Sequence, residues 1–296
     1  LKRAYQTAES GPQDGREVTG RGAYLSLLSR LAVLCFCAAT LAVGIFVPAQ
    51  GQAADTWRIL AIRVSFPLES PDDETTSGDG GFDLRPFADV REQYRFPFDI
   101  PPHDRSYFEA HLQALANYYR TVSQGQLEID YEVYPRNPAA SYALSTPLKN
   151  YGNGRSRQEM DARITRLFRD GIAAADSAEG DHLDFSQFQA FAVFHAGLGG
   201  ESSQALNDIP SAFVSAADLE KYVGGPVPVD GGARTVEGGM LLPEATSADG
   251  RGGLNGTLAR FFANLLGLPG LSNFEDDLPA VGDWSLMDTG ANNFVS

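Results

Sequence analysis

Cysteine is nearly absent: the 296 residues hold two, Cys35 and Cys37, both inside one apolar run, and neither follows the small residue that lipid attachment to cysteine requires. Beyond that run a disulfide framework is excluded, so core packing, with or without bound ions, has to hold the fold. Histidine is scarce as well. His103, His111, His182 and His195 are the only four, no two of them stand four apart, and the helical His-Glu-x-x-His pattern that pairs two metal ligands with a general base occurs nowhere. Positive charge is short, with 23 Lys and Arg against 38 Asp and Glu; residues 54–296 alone hold 18 basic and 35 acidic groups, a net charge of −17. Such a surface repels phosphate backbones, which excludes nucleic acid as a partner.

Long hydrophobic runs are limited to one. Residues 31–47, LAVLCFCAATLAVGIFV, carry no charge and are followed by Pro48, Gly51, Ala53 and Ala54, a pattern suited to signal-peptidase cleavage. The run reads as an export signal, with cleavage near Ala53 and a secreted or periplasmic product free of the membrane. Its 17 residues lie at the lower edge of a membrane span, so an N-terminal membrane anchor is the alternative. The chain opens on Leu1 with a polar lead of 30 residues, long for a signal, so the expected precursor starts later or the chain is a piece of a longer one. The expected organisation is residues 1–53 as lead and signal and 54–296 as one domain.

What is present is an ordinary globular composition, 43% apolar and 21% charged, in a length that can bury a core. Leu60, Ile62, Val64 and Phe66 alternate as one face of a strand. Residues 69–83 are a loop rich in Asp, Ser and Gly; its carboxylates could hold calcium but do not follow a known calcium-loop spacing. Ser106 with Glu109, and Ser156 with Glu159, read as capping boxes. The first opens a helix through Phe108, Leu112, Leu115 and Tyr119 to about Val122, the second one through Met160, Ile164, Leu167 and Phe168. Between them Leu127, Ile129, Tyr131 and Val133 alternate as a half-exposed strand, and residues 191–194 are apolar on both faces, as in a central strand. Residues 224–253 crowd nine glycines and three prolines, which leaves room for one short strand around residues 240–242. Strands and helices alternate, so the class is α/β.

Five segments together resemble the immune inhibitor A type family of secreted bacterial metallopeptidases: YFEAHLQALANYYRTVSQGQLEIDYEVYP (107–135), VFHAGLGGESS (193–203), LLPEA (241–245), LLGLPGLSN (265–273) and GDWSLMDTG (282–290). They fall in the family's order and at roughly its separations, from about Trp57 to the end. The resemblance implies a zincin-like α+β domain: a twisted mixed sheet, long helices, an active-site helix over residues 255–266 and a short Met-turn segment at residues 284–287. Active members continue past that turn, so a chain truncated at its C-terminus is expected.

The same resemblance locates what has changed. Active members place His-Glu-x-x-His before Leu-Gly-Leu-Pro and a third ligand, an Asp, just beyond it. Here the matching residues are Arg260, Phe261, Asn264 and Gly270. A guanidinium repels a cation, a phenyl ring takes no proton, an amide is a poor ligand and glycine offers no side chain. No zinc is expected. The frame around these positions, Leu266, Gly267, Leu268 and Pro269, is kept. The implied protein is a pseudopeptidase that acts by binding a peptide or a surface polymer. The alternatives are an active peptidase with a rearranged site, in which His103, His111 or His195 meets carboxylates in a cleft, and a structural envelope protein whose groove is filled by Phe261 and Phe262. His195 and Glu244 are candidate binding residues, although His195 reads first as a hydrogen-bonded structural group and His111 as a partly exposed polar position. His103 and His182 read as loop residues. The lone Asp288-Thr289-Gly290 triplet lacks the second carboxylate of an acid peptidase, and Ser202 and Ser203 lack a nucleophile-elbow context.

Overall fold

Eleven consecutive residues of extended chain, β1 (Asp55–Ser65), run through the middle of the protein. The computed structural model describes residues 54–94, 98–248, 253–271 and 278–292; the apolar run read as an export signal lies outside the described residues, as do Ser272 and Asn273 of the fourth matching segment. The further elements in chain order are α1 (Phe87–Val90), α2 (Arg105–Val122), β2 (Leu127–Tyr134), β3 (Tyr142–Ala143), α3 (Leu148–Gly152), α4 (Arg157–Glu179), β4 (Ala190–Leu198), β5 (Ala212–Val214), α5 (Ala216–Val223), β6 (Val227–Val229), β7 (Arg234–Val236), β8 (Gly239–Ala245) and α6 (Leu254–Leu265).

The main sheet has the order β2-β1-β4-β8-β5, with β3 pairing the end of β1. Strands β2, β1, β4 and β8 are parallel, and β5 runs antiparallel along β8. The class is therefore α/β with a mixed sheet. Strand alternation sorts the core into two layers. Leu60, Ile62 and Val64 meet Leu167, Phe168 and Ile172 of α4 on one face. Ile59 and Ala61 meet Phe108, Leu112 and Leu115 of α2 and Leu258 and Phe262 of α6 on the other. Both faces of β1 and β4 are covered, which explains why β4 reads as an unbroken apolar run.

Two expectations about helix starts differ in outcome. Helix α4 begins at Ser156, whose side chain accepts the Glu159 amide. Helix α2 begins two residues earlier than its sequence pattern suggests: Asp104 is the cap in place of Ser106 and accepts the Tyr107 amide, and the Ser106 hydroxyl donates to Asp104. A carboxylate captures the free amides more strongly than a hydroxyl does. The glycine-rich stretch is also more ordered than its composition suggests. It holds the β6–β7 hairpin and seven residues of β8, because β8 is buried along its whole length and pairs on both edges. Among the described residues no helix is long and apolar enough to cross a membrane.

Buried charge enters the core at Arg63 on β1, which has no solvent exposure. Its guanidinium donates to the carbonyl oxygens of Pro135, Asn137 and Pro138 at 2.9, 2.7 and 2.7 Å. Burial pushes its pKa down to about 10, against the opposing pull of Asp104. The strand residue thereby fastens the turn that follows β2.

Candidate functional site

Helix α6 carries three of the four positions singled out by the resemblance. Its start is held by Asp99, whose Oδ2 accepts the Leu254 amide at 2.9 Å. Its end is a glycine stop: Gly267 has φ 86°, its amide donates to Asn264 O at 2.9 Å, and the Leu268 amide donates to Ala263 O at 3.0 Å. That paired arrangement needs a left-handed residue, which glycine supplies without strain. The helix spans Leu254–Leu265, against the expected 255–266. Because the chain turns back at Gly267, Gly270 returns to the helix it has just left.

Arg260, Phe261, Asn264 and Gly270 consequently line one groove of about 370 Å³, closed on its far side by Arg157 at the start of α4 and Phe213 on β5. The groove is not plugged. Phe262 is fully buried in the core, with its ring 4.9 Å from Tyr119 and 5.8 Å from Trp57, while Phe261 is half-buried as a wall. Met287 of the expected Met-turn packs into the same core layer as α6, and its carbonyl accepts the Leu271 amide at 2.8 Å. Asp288 is buried behind it, its Oδ2 accepting the amides of Val281 and Gly282 at 2.8 and 2.9 Å. This carboxylate closes a turn.

The donors in the groove do not fit zinc. Arg260 is a fixed cation whose Nε is buried without a hydrogen-bond partner; burial lowers its pKa, and the field of Asp288 opposes that. Asn264 donates its Nδ2 to Leu268 O at 2.9 Å, and its neutral amide oxygen is a weak ligand for zinc. Zinc needs three or four neutral or anionic N, O or S ligands at about 2.0–2.3 Å, and this set offers a cation, an aromatic ring and a bare backbone. Among the described residues no group of three or more His, Cys, Asp or Glu side chains is arranged to hold a metal ion. In the loop that could have suited calcium, Asp73 instead takes Lys149 and Thr75, and Glu69 takes the Thr76 hydroxyl. Lys149 and Thr75 hold the Asp73 carboxyl well below the usual carboxylate range.

A second polar cluster lies where the carboxyl ends of β4 and β8 open, a usual place for ligands in α/β sheets. A cavity of about 490 Å³ is lined there by His103, Glu244, Asp83, Arg85, Tyr94 and Ser77, among others. His103 does sit in a loop, as its position suggests, but the loop is buried at that point. Its Nε2 contacts Asp99 O at 3.0 Å, and its Nδ1 stands 3.6 Å from Glu244 Oε2, beyond a good hydrogen bond. Burial pulls the His103 pKa down, but Glu244 and Asp99 O more than offset this, and the net shift is upward. His111 is largely buried: Nδ1 meets Asn255 Oδ1 at 2.6 Å, and Nε2 lies 3.5 Å from Asp99 Oδ1. The Tyr107 ring lies 4.5 Å from each imidazole, tilted at 39° to His103 and edge-on at 77° to His111, and its hydroxyl donates to Glu244 O at 2.7 Å. Burial raises the Asp99 pKa against the fields of His111 and His103.

Glu244, a candidate from the sequence, is thus brought to this cavity, where its Oε2 also accepts the Asp83 amide at 3.2 Å. His195 is not brought there. It is fully buried at the bulge where the β4–β8 register shifts, and its Nδ1 donates to Ala196 O at 2.9 Å. Gly197 follows at φ 91°, with the Leu148 side chain and the Ser77 carbonyl pressed against the space a Cβ would take. Asp99 and Tyr107 had no local signature; only the packing of α2, α6 and the preceding loop joins them. Ser77 lines the same cavity, but its Oγ accepts the Leu198 amide at 2.8 Å and makes no bond to His103. The cluster therefore holds an imidazole beside a carboxylate without an activated nucleophile.

Compared with protein-family models and with curated proteins, the sequence finds no match.

Proposed function

We propose that this chain is a non-catalytic, exported metallopeptidase-like protein that acts by binding at the groove beside α6. One observation carries the reading. Arg260, Phe261 and Asn264 on α6 and Gly270 beyond its end, picked from a resemblance in sequence, meet in a single groove of about 370 Å³. Helical spacing already puts residues 260, 261 and 264 together; what supports the reading is that Gly270, Arg157 and Phe213 meet them around an open groove. The zincin-like part of the reading draws support from the sheet, in which four parallel strands end in the antiparallel edge strand β5 beside the helix that carries the altered residues. An open groove with Phe262 turned into the core favours binding over a purely structural role. Metal analysis of the purified protein, with a peptide-cleavage assay with and without chelator, tests the proposal. It predicts no stoichiometric zinc and no metal-dependent cleavage; either result in the opposite sense defeats it.

A second reading, hydrolysis at a rearranged site, is favoured by His103 and Glu244 lining the 490 Å³ cavity, with Asp99 in contact with both His103 and His111. It predicts peptide hydrolysis lost in His103→Ala. A wild-type protein inert toward a broad peptide pool removes it.

A further inference from the structure

Glu244, near the end of β8, brings to the cavity of about 490 Å³ a carboxylate that is short of donors. It is 6% exposed, yet its one hydrogen bond among the described residues is a long one, 3.2 Å, from the Asp83 amide. An ionised carboxylate can accept from about four donors. We infer that this cavity binds a primary alkylammonium group, which seats on the Glu244 carboxylate with its stem along Phe82 and Tyr94. The site is separate from the groove beside α6, and neither reading depends on the other.

Three features point to an amine. First, the base beside Glu244 offers it no donor in its neutral form. His103 Nε2 faces Asp99 O at 3.0 Å and so carries the ring proton, which leaves Nδ1 as a second acceptor, buried and unbonded, 3.6 Å from Glu244 Oε2. A proton on Nδ1 would serve the carboxylate in the ligand's place, so acid competes with the amine. The groups that bear on that proton are Glu244 of β8, Asp83, the Asp99 carbonyl and Tyr107 of α2, with His111 beyond Tyr107. Second, the lining charges favour a cation. Arg85 is committed to Asp83 through a two-pronged pair at 2.9 and 2.7 Å, whereas Asp79 and Glu244 have no Lys or Arg partner among the described residues. Burial and the fields of Asp83 and Glu244 push the Tyr94 hydroxyl up to about 12. Third, aromatic rings beside a carboxylate suit an alkylammonium, whose charge they attract and whose methylenes they cover. Among the described residues the carboxylates do not converge as metal ligands, while an ammonium needs only a few acceptors.

Isothermal titration of the full chain at low salt and pH 8.5, where an alkylammonium keeps its proton, tests this with chelator present. The probes are acetyl-Ala-Lys-Ala amide, acetyl-Ala-norleucine-Ala amide, which lacks the ammonium, and n-butylamine. The Lys peptide should bind about 10- to 100-fold tighter than the norleucine peptide, the range of one charge-assisted hydrogen bond. Butylamine that matches the Lys peptide assigns the site to free amines, and weaker butylamine assigns it to a peptide side chain; both support the inference. Glu244→Gln should abolish the preference. Gln93 lines the same cavity from an exposed position, so its variants stay informative even if Glu244→Gln does not fold. Gln93→Lys should weaken binding of the Lys peptide and Gln93→Glu strengthen it, each by about 2- to 5-fold. Equal binding of the two peptides, no binding of any probe at millimolar concentration, a preference kept in Glu244→Gln, or Gln93 variants that act alike overturns the inference. Such a failure leaves the reading at α6 standing, because that reading falls to metal-dependent cleavage and not to amine binding.

Discussion

His195 ties stability to acid in a way that can be worked out from its surroundings. The ring is completely buried at the β4 bulge. Burial drives its pKa down from 6.5 to about 4, and the backbone carbonyls of Ala196 and Ile209 resist only in part. Between those two values the unfolded chain binds a proton that the folded chain refuses, so stability rises with pH across this window. The contribution is whole above pH 6.5 and is lost as pH falls, at up to about 1.4 kcal/mol per pH unit and about 3 kcal/mol in all by pH 4. His103 acts in the other direction. Its folded pKa is raised, so its stabilisation is full below the unfolded value and fades only as pH rises through the folded one. Asp99, a carboxyl raised by burial, likewise favours the folded state at acid pH and would mask part of the slope. The comparison of wild type with His195→Asn removes both, since Asn keeps a donor near the Nδ1 position but cannot be protonated. Urea unfolding at several pH values from 7 to 4.5 supplies the measurement. The gap between wild type and variant should shift by about 2 kcal/mol or more across that range, with the variant faring relatively better in acid. A gap that stays constant would refute the reasoning, whatever the variant's stability at neutral pH.

Three further outcomes are expected. Phe262→Ala removes a fully buried ring that meets Trp57 and Tyr119 edge-on and should cost about 3–5 kcal/mol, read by thermal unfolding together with a change in Trp57 fluorescence. Arg63→Met leaves the carbonyls of Pro135, Asn137 and Pro138 without their donor; a loss of about 2–4 kcal/mol should appear with faster proteolytic cutting of the turn after β2. Introducing Arg260→His, Phe261→Glu, Asn264→His and Gly270→Asp together should create a protein that retains one equivalent of zinc through dialysis, because two histidines four apart on α6 share a face beside residue 270. A folded variant that holds no zinc would show that the groove is not built on a zincin plan.

Periodicity and capping residues settle most long elements of this chain: α4, β1, β2 and β4 are readable from apolar spacing and from Ser156 at a helix start, whereas α6 was expected from the resemblance, with Gly267 at its end. These signals are local, so a short window of sequence contains all the physics behind them. The same holds for the side chains at residues 260 and 261, since no tertiary contact can turn Arg260 or Phe261 into a metal ligand. Folding decided where distant residues meet. The full strand β8 arises inside a glycine-rich stretch because β4 and β5 pair with both its edges, and burial between neighbours outweighs weak propensity. Asp104 takes the cap of α2 because its carboxylate reaches the free amide first. His103 is buried rather than exposed because Asp99, Tyr107 and Glu244, separated by up to 145 positions in the sequence, close around it. The groove likewise depends on the turn at Gly267, which carries Gly270 back beside α6, and on sheet order, which sets β5 opposite. Local sequence thus determined the long helices, the strands β1, β2, β4 and the middle of β8, and the chemical character of the side chains at residues 260, 261 and 264. Long-range packing alone determined which charges face the groove and which histidines are sealed from water.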